Sequence, residues 1–550
     1  MSIFMMKLIS VFTAVMSFMS SFLAPVDLFN DYEYTLDTAV LGETVPNFAS
    51  NVNCWDMGTQ FINAEKNEKD NIFDFVEYVQ LMQCSGGSYE RDLFVDPKDT
   101  SVLDDYDFQR LIDNCKGILK LGAKPHLKLG GVPLKYTSNA ETCVFSDNVY
   151  PPDDYNVYYN YIKALADALV EEFGREEVLS WHFGVMTEYE NSDWFMAKSG
   201  EPEDTAVEFC KLYDYTVQAL IDAIGEDVYV GAHSMTVTEG LWDEEIFIRH
   251  IAEGTNYANG KKGSRVCYLS ASFYDSKLGE YTSGMTLYET ITYLKETAEK
   301  YGLTGLNYGI DEGRILSGRE GTETNALLSR STGYTWQAAY DARLYSQLWA
   351  AGGSYFSYWY YMSDGLMYGV PTVSYHVARQ LSSFAGSKTV SVTNTKSTKL
   401  TSAEINVNAA YDSETNTLRA YAYNFKNTLY HFRNADVTLN INVPQFEDGE
   451  VNVTIYRIDD NCNWFDEWQE DRIENNITDD CFQWSPEDGN LGFLADEAAR
   501  NLYENTLKEK YYRCAQLIPE TMTAEVIDGK ISITTNVNAN TVVFFEVAKK

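Results

Sequence analysis

Two glutamates stand where their chemistry would be useful. Glu188 ends the stretch Trp181-His-Phe-Gly-Val-Met-Thr-Glu188, and Glu312 ends Leu306-Asn-Tyr-Gly-Ile-Asp-Glu312. Each follows a short apolar run of strand character, so each carboxyl is expected at the C-terminal end of a strand. Two carboxyls facing one another across a cleft are the equipment of glycoside hydrolysis. One protonates the leaving oxygen while the other attacks the anomeric carbon. Either glutamate alone reads equally well as a surface acid, because the chain has 81 acidic residues. The pair, at the ends of two strands, points to catalysis. Arg314 beside Glu312 reads as a cation that keeps the nucleophile ionised, or equally as a helix-start salt bridge. Glu190, two residues past Glu188, reads as a carboxylate that helps raise the proton donor's pKa or, preferably, as a solvated loop acid.

Other strand-end residues are candidates for the pocket. Trp359, in Tyr355-Phe-Ser-Tyr-Trp-Tyr-Tyr361, offers a flat face to a sugar ring, with barrel packing as the alternative. Asn53 and Trp55, and then His126 and Lys128, are placed to line the pocket, although alternation along a strand sends only some of them inward. Trp194 would border the leaving-group side. His182, inside a strand, reads as a core histidine. Other chemistries lack their signatures. Six histidines show no H-E-x-x-H, nine cysteines show no C-x-x-C, and there is no G-x-S-x-G turn. No cofactor and no metal are expected, and a 462–481 disulfide is an open option.

The elements that must carry these residues follow from periodicity. Eight short apolar runs, at 48–53, 78–83, 124–129, 179–186, 228–232, 267–273, 305–310 and 353–359, alternate with amphipathic stretches. One such stretch, 158–173, places Ile162, Leu165, Leu169 and Phe173 on one face. Eight strand–helix units without a G-x-G-x-x-G turn predict a (β/α)8 TIM barrel over 25–386, with working residues at the C-terminal ends of its strands. Beyond 386 the pattern turns to short Val/Thr/Tyr-rich strands, which predict a β-sandwich over 387–550. Residues 1–24 read as a signal peptide or N-terminal anchor, with Lys7 ahead of a charge-free apolar run. A secreted or cell-surface location is therefore expected. The balance of 42 basic and 81 acidic residues, a net charge of −39, argues against nucleic acid and anionic lipid as partners. An oligosaccharide or polysaccharide substrate fits better.

The motifs around these residues resemble those of clan A glycosidases, above all glycoside hydrolase family 39. The Glu188 stretch is similar to that clan's Trp-x-Phe-x-x-x-Asn-Glu-Pro-Asn segment. Lys124-Pro-His-Leu-Lys-Leu-Gly-Gly-Val-Pro133 resembles the family's third-strand signature, and Tyr456-Arg-Ile-Asp459 its small β-sandwich. The resemblance implies Glu188 as acid/base, Glu312 as nucleophile and Tyr274 as a hydrogen-bond donor to Glu312. It also sets Thr187 where the clan has an asparagine that holds the sugar 2-hydroxyl. The expected activity is retaining hydrolysis, with β-xylosides first and α-L-arabinofuranosides or β-galactosides next. A barrel that has lost catalysis and binds extracellular glycans is the alternative.

Overall fold

The computed structural model describes residues 31–54, 57, 61–62, 72–142, 147–235, 240–274, 284–313, 334–358, 366–367, 369–397, 402–485 and 490–549. Trp55, Arg314, Trp359 and the 1–24 segment lie outside the described residues.

The first described strand, β1 (Asp31–Thr44), alternates buried Tyr32, Tyr34 and Leu36 with less buried polar neighbours. The next eight form a closed parallel barrel. They are β2 (Asn51–Cys54), β3 (Tyr78–Leu81), β4 (Lys124–Leu129), β5 (His182–Val185), β6 (Tyr229–Ser234), β7 (Tyr268–Phe273), β8 (Asn307–Gly313) and β9 (Tyr355–Tyr358). Val52 opposite Tyr358 closes the ring. All eight expected runs are barrel strands.

The helices start where local chemistry favours it. Asp154 caps Tyr155–Phe173 by accepting from the Asn156 amide, and that helix buries Ile162, Leu165 and Leu169. Pro202 opens Pro202–Ala223, and Thr286 with Glu289 makes a capping box for Leu287–Lys300.

The barrel is a packed core and not a pore. Large inward side chains are accommodated because neighbouring strands supply glycines. A Cβ on Gly184 would meet Lys128 Cδ at 2.6 Å and the Tyr268 hydroxyl at 2.7 Å. One on Gly309 would meet the Tyr355 ring at 2.5 Å.

The chain divides into two units, and not at one point as expected. Thr44–Gly386 groups with Ile458–Ile518, while the N-terminal segment up to Glu43 groups with Ser387–Arg457 and Pro519–Lys550. The expected boundaries, 25–386 and 387–550, are corrected on two counts. β1 belongs to the second unit, because its apolar alternation fits a half-buried sheet. It pairs in parallel with Ala435–Asn442, from Asp31 opposite Asp436 to Asp37 opposite Asn442. Residues 458–518 belong to the first unit, because Trp464, Trp468, Tyr503, Leu507 and Tyr511 bury themselves together with Val370. Trp464 Nε1 donates to the Pro371 carbonyl at 2.9 Å. Cys462 and Cys481 within this segment are both free thiols.

In the second unit nine strands form one sheet. Its two outermost strands, Glu520–Val526 and Lys530–Val537, are consecutive in the chain and joined by a tight turn. The sheet must therefore curl over on itself, as a sandwich does. Leu36, Val437, Leu439, Val453, Ile533 and Phe545 are among the residues filling the space between its layers.

Candidate active site

Glu312 owes its position to an irregularity in β8. Ile310 lies opposite Ala271 and Glu312 opposite Ser272, so Asp311 is an extra residue in the ladder. Such a bulge re-aims the side chains around it. Asp311 is fully buried, paired with Lys128 Nζ and accepting from the Tyr355 hydroxyl. Burial alone would raise the Asp311 carboxyl, but Lys128 overrides this and holds it well below the usual carboxylate range. The Asp311 carbonyl is fastened as well, by Asn53 Nδ2 at 3.0 Å and Gln80 Nε2 at 3.3 Å. Glu312, the next residue, is held from below by this network. Its Oε1 accepts from the Tyr274 hydroxyl at 2.6 Å.

Glu188 lies three residues beyond β5, in a sharp turn. Met186 and Glu188 have φ of 65° and 43°, the left-handed region that costs non-glycine residues about 1–3 kcal/mol. The turn is tied down by the Met186 amide donating to the Leu129 carbonyl and the Tyr189 amide donating to the His233 carbonyl. Glu188 Oε1 accepts from Ser272 Oγ at 2.6 Å, and Oε2 accepts from Asn191 Nδ2 at 2.9 Å. Ser272 Oγ is in turn 2.9 Å from His233 Nε2. Burial pushes His233 down to about 3, so its ring is neutral at ordinary pH.

Glu188 and Glu312 face one another. One oxygen from each, together with a His233 ring nitrogen, all lie within 4.8 Å of one another. These are also the groups best placed to meet a cation among the described residues. Ser272 already engages both His233 Nε2 and Glu188 Oε1, so hydrogen bonding accounts for their closeness.

The remaining candidates separate into two groups. Thr187 and Trp194 line a recess beside Glu188, with Met82, Gln83 and Met186. Asn53 and His126 do not line the cleft. Asn53 is buried and spends its amide on the Asp311 carbonyl. His126 does point inward, but too deep: it is fully buried and 2.8 Å from the Tyr268 hydroxyl. Alternation sets a side chain's direction without setting its height along the barrel.

Lys128 likewise belongs to the core ion pair. Glu190 is not a solvated acid, since it is buried and accepts from Ser234 Oγ and the Met235 amide, both at 2.6 Å. His182 stacks between Tyr78 and Tyr229, at 3.7 and 4.1 Å between centroids, as a core histidine would. Ser272, His233 and Asn191 escaped the sequence reading. Ser272 alone had a usable signal, two positions before Tyr274 and so on the same strand face.

A family model described as glycosyl hydrolases family 39 matches residues 91–471. A β-xylosidase of Caldicellulosiruptor saccharolyticus is 30% identical over 121 residues, 22% of this chain and 23% of that protein. One from Geobacillus stearothermophilus is 27% identical over 145 residues, 26% of this chain and 27% of that protein. The aligned segments thus span about a quarter of either curated relative. Among solved structures, a monomeric β-xylosidase from Caulobacter crescentus CB15 superposes with a TM-score of 0.64 at 16% identity. The match covers 94% of this chain and 99% of that one, a likeness of fold.

Proposed function

This chain belongs to glycosyl hydrolases family 39, and from that premise we propose that it is a retaining glycosidase in which Glu312 is the nucleophile and Glu188 the acid/base. The observation that carries the reading is the distance between the two carboxyls. One oxygen of each carboxyl lies within 4.8 Å of one of the other, the close approach of a pair that attacks the sugar directly. Inverting pairs need about 6.5–9.5 Å, and retaining pairs about 5–5.5 Å between carboxyl groups.

In the first step a Glu312 oxygen bonds to the anomeric carbon as the glycosidic C–O bond breaks. The departing oxygen takes the Glu188 proton. In the second, water attacks the same carbon, its proton goes to Glu188, and the Glu312–sugar bond breaks. Tyr274 keeps one Glu312 oxygen in place through both steps. The preferred substrate we propose is a β-xyloside, supported by the two curated relatives, which are both β-xylosidases.

A panel of nitrophenyl glycosides tests the substrate, and two variants test the roles. Glu312→Ala should lose hydrolysis, with azide restoring turnover to the glycosyl azide of inverted configuration. Glu188→Ala should still form glycosyl-enzyme from substrates with good leaving groups. Silence of the wild-type protein across the panel, with glycan binding retained, would favour a non-catalytic barrel.

A further inference from the structure

Glu188 is held by donors at both oxygens, and one of those donors, Ser272, is itself hydrogen-bonded to His233. We propose that His233 and Ser272 form a one-way hydrogen-bond relay that presents the Glu188 proton toward the cleft, making both of them positioning residues for acid catalysis. The inference rests on Glu188 being the acid/base.

A serine hydroxyl between an imidazole and a carboxyl can point either way. Pointing toward His233, it would accept a proton lodged on Glu188 Oε1 and hold it away from the substrate. Pointing toward Glu188, it closes that position, and the acid proton must sit elsewhere on the carboxyl. The tautomer of His233 decides between the two. The ring is fully buried, and its Nδ1 has no hydrogen-bond partner among the described residues. With the proton on Nδ1, a buried N–H would be stranded without an acceptor, which native structures rarely tolerate. With the proton on Nε2, the ring donates to Ser272 Oγ at 2.9 Å, and Ser272 donates to Glu188 Oε1 at 2.6 Å. The neutral state of the buried ring removes the case in which both nitrogens donate.

The other side of the carboxyl is equally committed. Asn191 Oδ1 accepts from the Asp193 amide at 2.9 Å, which turns Asn191 Nδ2 toward Glu188 Oε2. Among the described residues, the titratable groups on the strands and turns around Glu188 include Glu312 and Tyr274 at the ends of β8 and β7, Tyr189 and Glu190 beyond β5, the buried Lys128–Asp311 pair on β4 and β8, and below it His126, Tyr268 and Tyr355. Replacing Ser272 alters none of them directly.

The test is Ser272→Ala, with Ser272→Thr as the conservative rescue and His233→Gln against His233→Leu for the second link. Losing a donor to the ionised carboxylate should move the alkaline limb of kcat/KM up by about one pH unit. Turnover of a substrate with a poor leaving group should fall about tenfold, while a dinitrophenyl glycoside, which needs no proton, is nearly unaffected. Ser272→Thr should restore both readouts. His233→Gln, which can still donate to Ser272, should resemble the parent, and His233→Leu should shift as Ser272→Ala does. An unmoved alkaline limb and an unchanged leaving-group dependence in Ser272→Ala would overturn the relay, even if the melting temperature drops. The catalytic roles are judged separately. If Glu188→Gln leaves poor leaving groups fully active, the reading of Glu188 itself fails, whatever Ser272 does.

Discussion

Ser272 and Tyr274 lie two positions apart at the end of β7, so both face the cleft and each serves one glutamate. Tyr274→Phe removes a donor from the Glu312 carboxylate while keeping the ring. We expect kcat/KM to fall about 10- to 100-fold, the value of one charge-assisted hydrogen bond. The acid limb of the pH profile should move upward, since ionised Glu312 is stabilised less. A pH–rate series with a thermal melt checks this, and an unmoved acid limb would assign Tyr274 to packing. At this scale the sequence was legible where residue type and position both speak. Two glutamates at the ends of two strands are informative as a pair, whereas Tyr274 was reached only through the family resemblance. Ser272 and His233 were not legible, because whether they meet depends on barrel register. His126 misled for a related reason: inward-facing and cleft-lining differ by a layer of packed side chains.

The loops at the mouth of the barrel are braced by Asp92, which accepts from the Gly87 amide at 2.8 Å and the Leu134 amide at 3.0 Å. It thereby ties the loop after β3 to the one after β4. Burial pushes the Asp92 carboxyl up to about 7 despite these two donors. A carboxyl whose pKa is raised on folding binds its proton more tightly in the native state. Its stabilising contribution is full below the unfolded value, about 4, and is lost as pH rises through about 7. The margin by which the parent out-melts Asp92→Asn should therefore shrink between these limits. A margin that widens with pH would show that the carboxylate is the preferred native form. At the scale of elements the eight barrel runs could be read directly, because short apolar runs alternating with helical ones have few other solutions. The alternation of β1 was also on view in Tyr32, Tyr34 and Leu36. Its partner was not, since nothing local to a strand says which distant strand it joins. The 458–518 segment failed for the same reason, as its aromatic cluster closes on Val370, far back in the chain.

The net charge of −39 belongs to the molecule as a whole. Such an excess destabilises a compact state through self-repulsion and is screened within about 10 Å at 0.1 M salt. Raising sodium chloride from about 10 to about 300 mM should raise the melting temperature by a few degrees. A fall would mean that attractive pairs, such as Arg91 with Asp147, outweigh the repulsion. The order of the chain through its two units has a consequence in time. Thr38 and the Asn442 carbonyl that it binds are 404 residues apart. At synthesis rates of about 5–20 residues per second, β1 leaves the ribosome roughly 20–80 s before its neighbours exist. The barrel strands are completed in that interval, so a half-apolar strand whose sheet partners are not yet made precedes a unit it does not belong to. The nascent chain is thus most open to pairing with another chain while its barrel strands are already made and the unpaired backbone of β1 still awaits its partners.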